Sequence, residues 1–364
     1  MVATPALSRW DYAPDGESTR SGDQAKPSRS VEAILASAEK SRDRLVIVGG
    51  RSHPQLVADI CRSLEHPVGR VRLCTFSDGA IEVKLEENVR GRDVFLVQSG
   101  QANPNDHLME LLFLVDAARR ASARSVTAVL PYFPYGKGDK KDEPRVSIRA
   151  RVVADALEVA GVERVLTVDL HAGQLQGFFH VPVDNLYALP VLASELERMV
   201  QKGELERPVI VAPDSGRAKL ARDFMRRLGS VDAGVAIGDK VRPEHDERSE
   251  VMALLGDVAG RDAVLVDDII FTGGTLCNMA QVVMERGARS VRAMVTHALL
   301  TDDALERIKD SPLVETIVTD TVPIPEARRP RAGLSQVRTV SVAPLFAEAI
   351  RSIYQETSIS RLFV

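Results

Sequence analysis

Apolar residues fall into two alternating patterns along most of the chain. Short, nearly continuous β-branched runs at 45–48, 93–98, 125–130 and 164–169 predict buried strands. Between them, the stretches 107–121 and 148–160 carry apolar side chains at helical spacing. A second series repeats the arrangement, with strands at 208–212, 234–237, 263–266 and 290–296 and helices near 218–228 and 276–286. Such alternation predicts an α/β fold of mainly parallel sheets flanked by helices. Upstream, Val31, Ile34, Leu35 and Ala38 recur at helical spacing, and residues 1–30, rich in Ser, Asp, Arg, Gly and Pro, read as a mobile tail.

The two series echo each other. Val165-Leu166-Thr167-Val168-Asp169 resembles Val264-Leu265-Val266-Asp267-Asp268, an apolar strand with acid at its carboxyl end, as an internal duplication would leave. In open parallel sheets that edge binds ligands, because strand ends and helix N-termini converge there. Acids at two such edges point to two halves of one site.

Composition narrows the chemistry. A chain of 364 residues suits two domains, and 47 Lys+Arg against 51 Asp+Glu leaves a net charge of -4. That balance offers no general grip on a nucleic-acid backbone, so any anion must be held by a local site. The cysteines, Cys61, Cys74 and Cys277, form no CxxC pair, which argues against a disulfide framework or a zinc cluster. No apolar run approaches the ~18 residues of a membrane span, and no basic-then-apolar leader is present. The expectation is a cytoplasmic protein with neither membrane nor nucleic acid as partner.

The strongest local signal is the run from Val264 to Thr275: a strand, the paired acids Asp267 and Asp268, then Thr272-Gly273-Gly274-Thr275 leading into a helix. Glycines let backbone approach a ligand closely, and successive N–H groups with threonine hydroxyls at a helix N-terminus make an anion nest. The carboxylates suit ribose hydroxyls, directly or through Mg²⁺. A capped surface turn is the plainer alternative, but paired acids would be costly decoration for a cap. Walker A and GxGxxG signatures are absent. The run resembles the phosphoribosyl-diphosphate-binding loop of the phosphoribosyltransferase fold.

Further segments extend the likeness. Residues 75–92, Leu108-Met109-Glu110-Leu111-Leu112, Pro131-Tyr132-Phe133, Asp169-Leu170-His171-Ala172, Gly177-Phe178-Phe179, Val183-Asp184-Asn185-Leu186 and Val342-Ala343-Pro344-Leu345, in this order, closely resemble the ribose-phosphate diphosphokinase (phosphoribosyl pyrophosphate synthetase) family from about residue 45 to 364. The resemblance implies two phosphoribosyltransferase-like domains, at 43–190 and 191–341. A tail and short helix at 1–42 would precede them, and a C-terminal segment at 342–364 would pack back on the first. It also implies transfer of a diphosphoryl group from Mg-ATP to the C1 hydroxyl of ribose 5-phosphate, releasing AMP.

Carried onto this chain, the family's site falls as follows. His171 and Asp214 match its metal positions, with Asp169 beside them at the strand end; one imidazole with one or two carboxylates and phosphate oxygens is a workable Mg²⁺ site. Asp267, Asp268, Thr272, Gly273, Gly274 and Thr275 match the ribose 5-phosphate loop. Lys240 and Arg242 match the two cations of a flexible catalytic loop, here the polar stretch 237–248, which taken alone would read as a solvated charge run. Lys219 reads as a helix-surface residue. Phe76, Asp78, Lys137, Asp139 and His171 fall where the nucleotide is held. Members commonly assemble from dimers, often into hexamers, and borrow the segment carrying Phe76 and Asp78 from a neighbouring subunit. Some are activated by phosphate and inhibited by ADP through a C-terminal pattern that Ser358, Ser360 and Phe363 preserve; apolar packing of Leu362 and Phe363 explains that pattern equally well.

Departures cluster at the donor side. Ala80 stands where an acid is typical, Gly136-Lys137-Gly138 replaces a small residue followed by Arg-Gln, and Phe271 replaces a frequent Asp. Lysine keeps charge but not the planar fork of arginine. The expectation is an active diphosphokinase with a flattened preference among nucleoside triphosphates. Two alternatives are a non-catalytic regulatory partner resembling the synthetase-associated proteins, and a phosphoribosyltransferase. Retention of Lys240, Arg242, His171 and Asp214 argues against the first, and the first-domain segments against the second.

Overall fold

The computed structural model describes residues 44–229, 232–241, 251–324 and 336–363. The tail and short helix expected at 1–42 lie outside them, as does Arg242. The first half contributes β1 (Leu45–Gly49), β2 (Val71–Thr75), β3 (Ile81–Leu85), β4 (Asp93–Val97), β5 (Ser125–Leu130), β6 (Arg164–Val168) and β7 (Val183–Leu186). The second contributes β8 (Val209–Ala212), β9 (Gly234–Val241), β10 (Val251–Leu255), β11 (Asp262–Ile270), β12 (Ser290–Ala298), β13 (Leu313–Thr319) and β14 (Val337–Val340). Helices α1 (Pro54–Leu64), α2 (Pro104–Arg120), α3 (Arg149–Ala160), α4 (Leu189–Gln201), α5 (Ala218–Arg227), α6 (Gly274–Glu285), α7 (Asp302–Asp310) and α8 (Ala343–Tyr354) connect and cover them.

The first sheet runs β1-β4-β5-β6-β7 with every pair parallel, and β2 and β3 form a separate antiparallel hairpin. The second runs β10-β9-β8-β11-β12-β13-β14, parallel except at β10. Central parallel strands are covered on both faces, so their sequences must be apolar throughout rather than alternating. Asp93–Val97 is accordingly buried at every position.

Helices α2 and α3 close one face of the first sheet, where Leu111, Leu114, Val153 and Leu157 meet Val94, Leu96 and Val126. The other face, with Ile47, Phe95 and Leu166, shares one continuous core with α1, α4, α5, α8 and the second sheet's Ile210, Val264, Met294 and Ile317. Helices α6 and α7 cover the far side of the second sheet. The described residues consequently form one compact unit, its two sheets joined through buried helices. Within it α8 packs on α1, and Arg351 donates to the Ser63 carbonyl at 3.2 Å.

Two local readings need correction. Residues 237–241, expected in a loop, form the second half of β9 and pair with β10 through the register Val251↔Val241 to Leu255↔Ile237. Backbone pairing does not depend on side-chain polarity, so a charged hairpin shows no hydrophobic signal. Strand β11 also continues to Ile270, placing Asp267 and Asp268 inside the strand rather than after it.

Candidate functional site

From β8 the second sheet grows one way into β9 and β10, then the chain returns to lay β11 on the opposite side of β8. Such a reversal opens a crevice at the carboxyl ends of the two central strands. A pocket of about 180 Å³ lies there, lined by Asp214 and Arg217 after β8 and by residues 267–276 of β11 and its loop. Lys137 and His171, both from loops of the first sheet, complete the lining.

The loop joining β11 to α6 is built as its sequence suggests. Gly273 caps α6 with φ 74°, a left-handed conformation that a side chain would strain. Thr272, Gly273, Gly274 and Thr275 all line the pocket at the N-terminus of a twelve-residue helix, whose dipole favours an anion there. From outside, Arg307 reaches the Thr272 carbonyl at 3.4 Å.

Opposite the loop, side chains from both sheets converge. His171 Nδ1 lies 2.7 Å from Asp268 Oδ2. The Arg217 guanidinium stands 3.1 Å from Asp268 and 3.3 Å from Asp267. Burial alone would raise the Asp268 pKa, but the His171 hydrogen bond and the Arg217 charge outweigh it and hold the carboxyl at about 2. Burial, then the adjacent Asp268 charge, drives Asp267 well above the ordinary range. A carboxylate oxygen accepts, so the hydrogen of this bond lies on Nδ1. His171 Nε2 has no hydrogen-bond partner among the described residues.

Asp214 accepts the Arg217 backbone N–H at 3.2 Å, shaping the turn that presents Arg217. Asp169, at the end of β6, is not part of the lining: its carboxylate accepts from Thr296 Oγ1 at 2.6 Å and from the Ala188 N–H at 3.2 Å. Burial pushes it up to about 6. The neighbouring His297 is buried, which lowers its pKa to about 4; the neutral ring donates from Nε2 to the Asp169 carbonyl at 3.1 Å and contacts Thr321 Oγ1 at 2.9 Å. Thr296, His297 and Arg217 escape sequence reading, since nothing in a strand end or a helix start marks them.

A metal would find few protein ligands. No group of three or more His, Cys, Asp or Glu side chains among the described residues could hold an ion by itself. His171 and the carboxylate of Asp214, both in the pocket lining, instead fit Mg²⁺ brought with phosphate oxygens, which completes its shell with ligand and water.

Phe76 and Asp78 form the tip of the β2–β3 hairpin, with Phe76 50% exposed and Asp78 accepting the Ala80 N–H at 3.0 Å. Asp139 accepts from Gln174 Nε2 at 3.2 Å. Lys219, exposed, pairs with Asp223 at 2.6 Å. Lys240 is a β9 residue whose side chain lies outside the described ones, as does that of Phe363. Ser358 and Ser360 bond to each other at 3.0 Å and line a different pocket, of about 430 Å³, beside Arg164 and Asp184.

Comparison with known proteins covers most of the chain. Residues 45–161 match the family described as the N-terminal domain of ribose phosphate pyrophosphokinase, and residues 242–364 match the phosphoribosyl synthetase-associated domain. A ribose-phosphate pyrophosphokinase of Ralstonia nicotianae is 47% identical over 324 residues, 89% of this chain and 99% of that protein. One from Vibrio parahaemolyticus is 48% identical over 87% of this chain and 98% of its own length. The crystal structure of phosphoribosylpyrophosphate synthetase from Mycobacterium smegmatis superposes with a TM-score of 0.79 at 38% identity, covering 86% of this chain and 99% of that one.

Proposed function

This chain belongs to the ribose-phosphate pyrophosphokinase family, and we infer that it transfers the β,γ-diphosphoryl group of ATP to the C1 hydroxyl of ribose 5-phosphate, releasing AMP. The observation that carries the site reading is the meeting of the 272–275 anion loop with His171 from the other sheet in a single pocket.

In this reading Thr272, Gly273, Gly274 and Thr275 cradle the 5-phosphate, and Asp267 and Asp268 face the ribose hydroxyls. Lys137 reaches the polyphosphate from the first sheet. Lys240 and Arg242 stabilise charge that builds in the transition state, since this chemistry asks for positioning and neutralisation rather than covalent catalysis. His171 and Asp214 hold Mg²⁺, which when bound neutralises phosphate charge. The exposed ring of Phe76 stacks on a base held by a neighbouring subunit, so the working enzyme is a homo-oligomer built from dimers, with a hexamer as the expected assembly. The pocket beside Ser358 and Ser360 takes a regulatory phosphate or ADP. No helix among the described residues is long and apolar enough to cross a membrane, and the reading is of a cytoplasmic enzyme.

The test is an assay of purified protein. AMP release that requires ATP, ribose 5-phosphate and Mg²⁺ together supports the reading, and AMP release indifferent to ribose 5-phosphate contradicts it.

A further inference from the structure

Arg217 is the residue that the reading above leaves without a role. It closes the Ser215–Arg217 turn at the N-cap of α5, where an ordinary basic side chain would extend into water. Its side chain is only 22% exposed and turns into the pocket, with Nε 3.3 Å from Asp267 Oδ1 and one terminal nitrogen 3.1 Å from Asp268 Oδ2. The same nitrogen lies 3.3 Å from His171 Nδ1. Because the hydrogen on Nδ1 is committed to Asp268, that last approach is a contact rather than a hydrogen bond. The guanidinium therefore lies against both the acidic pair and the imidazole that bonds to it.

We propose that Arg217 is a built-in counter-ion, occupying the acidic pair while the site is empty and competing there with a divalent cation. The proposal rests on the functional reading only for the pocket's use of such a cation. Two adjacent buried carboxylates without a counter-charge are strongly disfavoured, and a divalent ion would otherwise be the natural remedy. A resident guanidinium meets that need with a charge that cannot be lost by deprotonation. It also repels any cation approaching His171 or Asp214 unless that cation arrives already paired with phosphate. Arg217 thus favours entry of the metal–nucleotide complex over entry of the bare ion, making it a specificity-determining residue of the site.

The experiment titrates Mn²⁺, as its chloride and without nucleotide or sugar, into the full chain and follows free Mn²⁺ by electron paramagnetic resonance. Arg217→Met keeps much of the side-chain volume and removes the charge, whereas Arg217→Lys retains the charge. The expected result is Mn²⁺ binding at least about fivefold tighter in the Met variant than in wild type, with the Lys variant close to wild type. The gain should disappear when Asp267→Asn is added. Equal or weaker Mn²⁺ binding by the Met variant, with its thermal unfolding showing a folded protein, overturns the proposal, as does a gain that survives Asp267→Asn. Wild-type AMP formation is measured beside it; its presence with an unchanged Mn²⁺ response rejects the counter-ion role while leaving the activity standing.

Discussion

His171 and Asp268 come from different sheets, 97 residues apart in sequence, yet their side chains meet at 2.7 Å in the pocket. The carboxylate fixes the imidazole's orientation and tautomer, leaving Nε2 directed away from the bond, which is how an outer carboxylate prepares a histidine to act as a ligand. This hydrogen bond thereby ties the carboxyl edge of the first sheet to that of the second.

Asp268→Asn removes the charge from that bond while keeping the shape. Loss of such outer partners commonly costs 10–100-fold in metal affinity or activity. The variant should need at least about tenfold more Mg²⁺ for half-maximal turnover. A Mg²⁺ dependence matching wild type would show that Asp268 serves the sugar alone.

Lys240→Ala and Arg242→Ala should each lower turnover by orders of magnitude and leave ribose 5-phosphate affinity, read by calorimetry, nearly unchanged. Groups that act on charge developing in the transition state lower kcat without weakening the ground state. A fall of less than about tenfold (~1.4 kcal/mol) would remove these cations from the mechanism.

Much of this was legible in the chain itself, for physical reasons. Central strands such as β5 and β11 are buried on both faces and so announce themselves as apolar runs, and the Thr272–Thr275 turn carries its chemistry in its residue types. The edge strand β14 spans four residues, Val337–Val340, that are mostly half-buried, and the β2–β3 hairpin alternates half-buried with exposed positions; neither produces a continuous hydrophobic signal. Contacts across the sheets were hidden for another reason. Thr296 reaches Asp169 over 127 positions and Arg217 reaches His171 over 46, pairings set by how two sheet edges face each other rather than by any local pattern.

On the family resemblance, Ala80 and Lys137-Gly138 stand where an acid and an Arg-Gln pair that hold the nucleotide are typical. A site without buried partners for one edge does not penalise another. Comparing kcat/KM for ATP, GTP, CTP and UTP should show a shallow ranking with ATP accepted. A preference for ATP above roughly 10³-fold (~4 kcal/mol) would contradict it.

Buried His297 makes stability depend on pH. Its pKa is about 4 when folded against 6.5 ordinarily, so the unfolded chain takes up the proton first; the contribution is full above 6.5 and is lost as pH falls toward 4. Asp169 acts oppositely, its raised pKa of about 6 favouring the folded state as pH falls from there toward 3.8. That term is common to wild type and His297→Gln, whose amide can still donate to the Asp169 carbonyl. Thermal unfolding followed across this range should show wild type losing more stability than the variant on acidification, and parallel curves would mean that His297 is not held neutral.

The account stands or falls on which bond of ATP is broken. Phosphorus-31 magnetic resonance of a reaction containing wild-type protein, Mg-ATP and ribose 5-phosphate reads this directly. The expected spectrum shows AMP growing in equal amount with a sugar product that carries two mutually coupled phosphorus atoms at C1. Accumulation of ADP with a singly phosphorylated C1, or persistence of both substrates in the assembled oligomer, would contradict it.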